Sequence, residues 1–438
     1  MNPTFLVLTT IFLLLISQPT SAQSMESKIE LGPQFTALTL FFDEFRGDVT
    51  EPGFGARLTY NVNRKIAFEA EGTLFPNKTI FSGLGEGRAV QAQFGVKAGK
   101  RFSKFGIFGK ARPGFLSVGE VFINEPGATL DFFGSTLPNA RIGRRTHFTT
   151  DLGGVLEFYP TNRTVVRFDA GDTIVRYGPH FEYDPINFPE LVRRPGRVRH
   201  NLQITAGVAF RLGTFPEDKD ASGTSKPAGE TPRYEVGIHF TSLSLNPPRP
   251  ICGFPCIVPD DLGPITEPGL GGRLTFNLTD NIGLEAEGNF YTRQHGSSRF
   301  SFLPIPSGHM FQGQFGVKVG KRFGSFGIFG KARPGFVGFT QALRLVSSRI
   351  ETFPAFDNRQ IEVGEFRIGT TKYFSTDVGG VVEFYLSRRV MTRMDLGDTI
   401  IRYGEFAVPG FSLSNLIGRR PPETKHNFQF TGGIGFRF

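Results

Sequence analysis

Tryptophan is absent from the 438 residues, nine are tyrosine, seven are histidine and two are cysteine. After residue 22 there is no apolar run near the roughly 18 residues that a membrane-crossing helix needs, so no such helix is expected there. Phe5 to Ile16 is apolar but too short to span, and Ser17-Gln-Pro-Thr-Ser-Ala22 follows it with small residues at Thr20 and Ala22. This reads as a signal peptide over residues 1–22, although no Lys or Arg precedes the apolar stretch. The cysteines stand in Ile251-Cys-Gly-Phe-Pro-Cys256. A metal site at that spacing would need a second pair or a flanking histidine, and neither is present. In an exported chain a short-range disulfide between Cys252 and Cys256 is expected instead. No cofactor is expected.

The formal net charge is +9. The Lys and Arg residues alternate along the chain rather than forming runs, and an exported protein does not meet nucleic acid, so that class of partner is excluded. Mean hydropathy is −0.14, a value typical of a soluble protein. The pattern is not. With 55 Gly and 49 Phe in short alternating runs, the chain reads as strands and turns.

The chain repeats itself. Gln93 to Phe115 and Gln314 to Phe336 agree at 20 of 23 positions. Thr50-Glu-Pro-Gly matches Thr266-Glu-Pro-Gly, and Phe68-Glu-Ala-Glu-Gly72 matches Leu284-Glu-Ala-Glu-Gly288. Asp151 to Tyr159 matches Asp377 to Tyr385, and His200-Asn-Leu-Gln matches His426-Asn-Phe-Gln. The units are residues 23–214 and 233–438, separated by a polar linker rich in small residues and Pro over 215–232. Unit one shows eight strand patterns, near 29–42, 54–61, 64–75, 89–101, 104–117, 146–159, 164–177 and 199–212. Tight connections alternate with long ones near 43–53, 76–88, 118–145 and 178–198, and unit two follows the same plan. Short periplasmic turns opposite long extracellular loops are the plan of outer-membrane barrels.

The strands are two-faced. Val90, Ala92, Phe94, Val96 and Ala98 oppose Gln91, Gln93, Gly95 and Lys97, and Leu202, Ile204, Ala206, Val208 and Phe210 oppose Gln203, Thr205 and Arg211. The polar faces of unit one carry Arg57, Glu69, Glu71, Lys97, Lys110, Arg112, Asp151, Glu157, Arg167 and Asp169, five bases and five acids. Unit two carries Arg273, Glu285, Glu287, Lys318, Lys331, Arg333, Asp377, Glu383, Arg393 and Asp395 at the matching positions. An eight-stranded barrel has room inside only for side chains. Charges enclosed there must be paired, so a matched set is expected as a lumen ion-pair network and not as catalytic carboxylates. The apolar faces would meet lipid.

These features resemble the OmpA-type small outer-membrane β-barrel domain family, here duplicated in tandem over nearly the whole mature chain. The final run Phe428-Gln-Phe-Thr-Gly-Gly-Ile-Gly-Phe-Arg-Phe438 supports the resemblance. It implies that Phe430, Phe436 and Phe438 form the signal read by the outer-membrane assembly machinery. The aromatic belts of such barrels are normally Trp and Tyr; here Phe102, Phe105, Phe158 and their counterparts would replace them. No peptidoglycan-binding domain follows the last strand, so no cell-wall tether is expected.

The expected fold is all-β: two eight-stranded antiparallel transmembrane barrels in tandem, with one sixteen-stranded barrel as the alternative. The expected function is non-enzymatic, serving envelope structure or surface interaction in the bacterial outer membrane, with outer-membrane lipid and the assembly machinery as partners and no extracellular ligand identified. A porin-like sixteen-stranded channel is the second reading, and a lipid-modifying enzyme using His200 or His426 the third. Gly83-Leu-Gly-Glu-Gly87 lacks the strand-to-helix context of a phosphate loop.

Overall fold

A computed structural model describes residues 28–40, 49–77, 87–132, 135–183, 191–212, 232–246, 264–295, 307–353, 359–409 and 417–438. The signal-peptide segment, the cysteine pair, all but the last residue of the linker and most of the 83–87 glycine cluster lie outside the described residues. No helix among them is long and apolar enough to cross a membrane.

The first unit contains β1 (Ile29–Leu40), β2 (Val49–Asn61), β3 (Ile66–Phe75), β4 (Ala89–Arg101), β5 (Phe105–Phe132), β6 (Ser135–Phe158) and β7 (Thr164–Tyr177). The short strands β8 (His180–Tyr183), β9 (Leu191–Arg194) and β10 (Arg197–Arg199) follow, and then β11 (Leu202–Leu212). From β1 to β7 each strand pairs antiparallel with the next. β11 pairs with β7 on one side and with β1 on the other, from Ile29↔Leu212 to Thr39↔Leu202, which closes an eight-stranded ring.

The second unit repeats this with β12 (Tyr234–Leu245), β13 (Ile265–Asn277), β14 (Ile282–His295), β15 (Ser307–Phe323), β16 (Phe326–Phe353), β17 (Arg359–Tyr385) and β18 (Val390–Tyr403). After β19 (Phe406–Pro409), β20 (Ile417–Arg420) and β21 (Glu423–Lys425), β22 (Phe428–Arg437) pairs with both β18 and β12 and closes a second ring. The sixteen-stranded alternative is thereby excluded. Among the described residues one backbone pair, Thr50↔Thr266, joins a strand of one ring to a strand of the other.

Closure is what lets these sequences cross lipid. Backbone groups in hydrocarbon must be paired internally, and a ring has no open edge. The turns at the short-loop end are built locally. Asn63 Oδ1 accepts hydrogen bonds from the amides of Lys65 (2.8 Å) and Ile66 (2.9 Å). Thr161, Thr279 and Ser387 hydroxyls do the same in three other turns, so each of these four turns is specified by one short polar side chain.

The described residues of 118–145 and 340–370, segments expected as loops, are instead strand. β5 and β16 each run 28 residues, and β6 and β17 run 24 and 27, against the roughly 9–11 needed to cross the membrane. Both hairpins continue outward as two-stranded ribbons. Register shifts between Val118 and Val121 and between Asn124 and Thr129 absorb the irregular residues, with Glu120, Gly127 and Asn139 at positive φ. Beyond the membrane both faces of a ribbon meet water, so the apolar–polar alternation that marks a half-buried strand disappears. The same solvation explains the short strands within 178–198 and 404–424.

The rings touch along one side. The outward residues Phe35 and Ala37 of β1 and Ala206 of β11 are buried against Phe430 of β22. Phe35 and Phe430 stack with ring centroids 4.1 Å apart.

Candidate functional site

The interiors are the chemically distinctive part of the molecule. Strand alternation sends Arg57, Glu69, Glu71, Lys97, Lys110, Arg112, Asp151, Glu157, Arg167 and Asp169 inward, and all are buried. Arg112 bridges two carboxylates, with Nη2 2.6 Å from Asp151 Oδ2 and Nη1 2.5 Å from Glu71 Oε2. Arg167 grips Glu69 through two nitrogens and Asp169 through Nε at 2.6 Å. Lys97 contacts Glu157 directly and Glu69 at 3.5 Å, while Lys110 Nζ lies 2.8 Å from Asp151. Arg57 is at the edge of the set, 4.0 Å from Asp169, and donates to Gln34 Oε1.

The second barrel reproduces the arrangement atom for atom in most contacts. Arg333 bridges Asp377 and Glu287 at 2.5 Å each, Arg393 grips Glu285 and Asp395, and Lys318 and Lys331 hold Glu383 (2.5 Å) and Asp377 (2.7 Å). Arg273 lies 3.6 Å from both Glu287 and Asp395. Glycines make the room. A Cβ on Gly171 would sit 2.6 Å from Asp151 Oδ1 and 3.2 Å from Lys110 Cε, and one on Gly397 would meet Asp377 and Lys331 in the same way.

Three further layers were not anticipated. At the short-turn end, Glu30 faces Arg211 (3.1 Å) and Arg101 (3.6 Å), and Arg101 Nε donates to the Tyr159 hydroxyl, which donates to Glu157. Glu235, Arg437, Arg322 and Tyr385 form the counterpart. Glu30 was legible, since it shares the inward parity of Gln34, and Arg211 was already on the polar face of its strand; Arg101 sits where strand gives way to turn, and parity there is ambiguous. Above the ion pairs lie amides: Gln91 Nε2 donates to Gln203 Oε1, and Thr173 donates to the same oxygen.

Above these the lumen becomes mainly apolar, with Glu51 and His147 of the first barrel and Glu267 of the second buried at the same level. Leu38, Leu40, Phe75, Leu116, Val175 and Tyr177 are all buried in one cluster inside the first barrel. Leu243, Leu245, Tyr291, Val337, Ile401 and Tyr403 occupy the second. The inward face is therefore charged in the middle and hydrophobic at the long-loop end. From bottom to top each lumen is packed with side chains.

The outward face is apolar and exposed: Phe94, Ile107, Phe148 and Leu152 in the first barrel, and Ile238, Leu270, Phe315 and Phe374 in the second. Phe102 stacks on Phe105, and Phe323 on Phe326, at the short-turn rim. Phe158 does not face lipid as expected; it is buried between the barrels with Val166 and Leu386. Of the three terminal aromatics, Phe436 and Phe438 are exposed and Phe430 is buried at the seam. Phe438 exchanges two backbone hydrogen bonds with Tyr234 at ring closure.

His200 and His426 lie exposed on the outer surface. Nδ1 of each is 2.6 Å from a carboxylate oxygen, Asp172 and Asp398 respectively. Among the described residues no hydroxyl is hydrogen-bonded to either ring. No cluster of metal-ligating side chains occurs among the described residues.

No protein-family model and no curated protein sequence matches the chain. Similar solved structures include neisserial surface protein A, at 12% identity over 42% of this chain and 98% of that one, with a TM-score of 0.28. The attachment invasion locus protein Ail of Yersinia pestis is similar at 14% identity over 43% and 100%, with a TM-score of 0.27. A FadL homologue of Pseudomonas aeruginosa is similar at 11% identity over 94% and 90%, with a TM-score of 0.26. Strand closure and the chemistry of the two faces define this fold. Two closed rings, apolar outside and charged within, make the chain a β-barrel protein of the bacterial outer membrane.

Proposed function

We infer that the protein is a non-enzymatic, non-conducting outer-membrane component, a tandem duplication of the OmpA-type barrel whose two filled barrels anchor long extracellular segments for envelope structure or surface interaction. The filling of the lumens carries this reading. Arg112, Arg167, Arg333 and Arg393 rank among the largest fully buried side chains, and they lie in the middle of each barrel. A water-filled channel would leave them hydrated. Above them the apolar layer would have to open before any solute passed. The ribbons of β5–β6 and β16–β17 are the parts that extend beyond the membrane, and their exposed Ile142, Val346, Ile350 and Ile368 offer contact surface there.

Conductance of the refolded mature protein in a planar bilayer tests the reading, with insertion verified by protease protection. Silence, or only brief small events, is the expected result. Stable openings of nanosiemens scale would overturn it in favour of a porin-like channel.

A further inference from the structure

We propose that the two barrels form one lipid-excluding pair in the membrane, joined through a self-complementary face that each barrel presents to the other. The seam uses the same elements on both sides: β1, β2, β6, β7 and β11 of the first ring, and β12, β13, β17, β18 and β22 of the second. Repeat equivalence makes the symmetry explicit. Outward-facing Val166 and its counterpart Thr392 are each 0% exposed, whereas lipid-facing Ile238 is 72% exposed. Ala37 matches Ser242 and Ala206 matches Gly432, and all four are buried. Near the long-loop end Thr39 bonds Thr50 at 2.8 Å, and the matching Ser244 bonds Thr266 at 2.8 Å. Thr50 and Thr266 are themselves the one backbone pair between the rings among the described residues.

A face meeting its own counterpart about a two-fold axis is an isologous interface. Its composition suits a bilayer. Burial of apolar groups drives no association in lipid, so helices and, by the same physics, barrels associate through close packing of small residues and through hydroxyl hydrogen bonds. The seam has both. Gly432 is tight against the other barrel, since a Cβ there would lie 3.1 Å from Phe168 Cε1. The linker does not impose this contact. Between Leu212 and Tyr234 it could reach about 60 Å or more at roughly 3.3 Å per residue, far more than two touching barrels require.

The test uses the full chain with Cys252→Ser and Cys256→Ser, a protease site inserted in the 215–232 linker, and Thr50→Cys with Thr266→Cys. Directly opposed antiparallel residues have Cα separations within disulfide range. After oxidation in lipid and linker cleavage, the halves are expected to stay joined at monomer mass and to separate on reduction. Leu58→Cys with Leu274→Cys, both lipid-facing, is expected to give no link. Absence of the Thr50–Thr266 link while both thiols react with maleimide would overturn the proposal, and so would a link found only at dimer mass. A cysteine-free measurement guards against misfolding. Halves of the otherwise native, linker-cleaved chain should co-elute in mild detergent, and Gly432→Leu should abolish co-elution while each half keeps its heat-modifiable mobility. Separation of the native halves would overturn the proposal.

Discussion

The two barrels share an interior and differ on the outside. Every member of the ten-residue ion-pair set in the first lumen has an identical residue at the matching place in the second. Outward positions follow a looser rule: Ile29 matches Tyr234, Pro33 matches Ile238 and Phe54 matches Leu270. The loops diverge further. The difference has a physical origin. Removing one charge from an enclosed network strands its partner, a cost with no local remedy. Lipid asks only that a side chain be apolar, and water at a loop asks for less.

Breaking this comparison from the inside should have the largest effect. Arg112→Ala removes the ion pair of Glu71 and leaves Asp151 to Lys110 alone, and Arg333→Ala leaves Glu287 to Arg273 and Asp377 to Lys331; each should cost about 3–5 kcal/mol. Urea titration followed by heat-modifiable mobility would report it, and equal losses from the two variants would show that the two networks are energetically equivalent. Charging the outside should cost less. Phe94→Arg places a cation on the lipid face midway along β4, with an expected loss of about 2–4 kcal/mol in the same assay. The smallest effect is expected where the lumens differ. His239 Nε2 of the second barrel donates a 2.6 Å hydrogen bond to Asn289 Oδ1, whereas Gln34 occupies that place in the first and accepts from Arg57. His239→Gln transplants the first barrel's choice. It should shift stability by about 1 kcal/mol or less, the scale of one neutral hydrogen bond; a loss as large as that of Arg333→Ala would mean that the imidazole is integral to the network.

The hydroxyl clusters and the aromatic stack at the seam show where reading from sequence stops. Phe35, Ala37 and Ala206 are indistinguishable in pattern from lipid-facing residues, because lipid and a neighbouring barrel both accept small or apolar groups. The inward Leu38 and Leu40 were equally hidden. They follow an outward run of apolar residues, and alternation fails as a signal once both faces are dry. The ribbons failed for the opposite reason, since both of their faces are wet.

By itself the sequence determined the strands that cross the membrane, the pairing of charges within each unit and the two-fold repetition. Period-two alternation records which face a side chain takes, and enclosed charges must balance locally. Only the tertiary structure decided that each unit closes on itself, that an apolar layer caps the charged lumen, and that one side of each barrel meets its partner. Those outcomes depend on which strands lie next to each other, and alternation along a single strand carries no record of its neighbours.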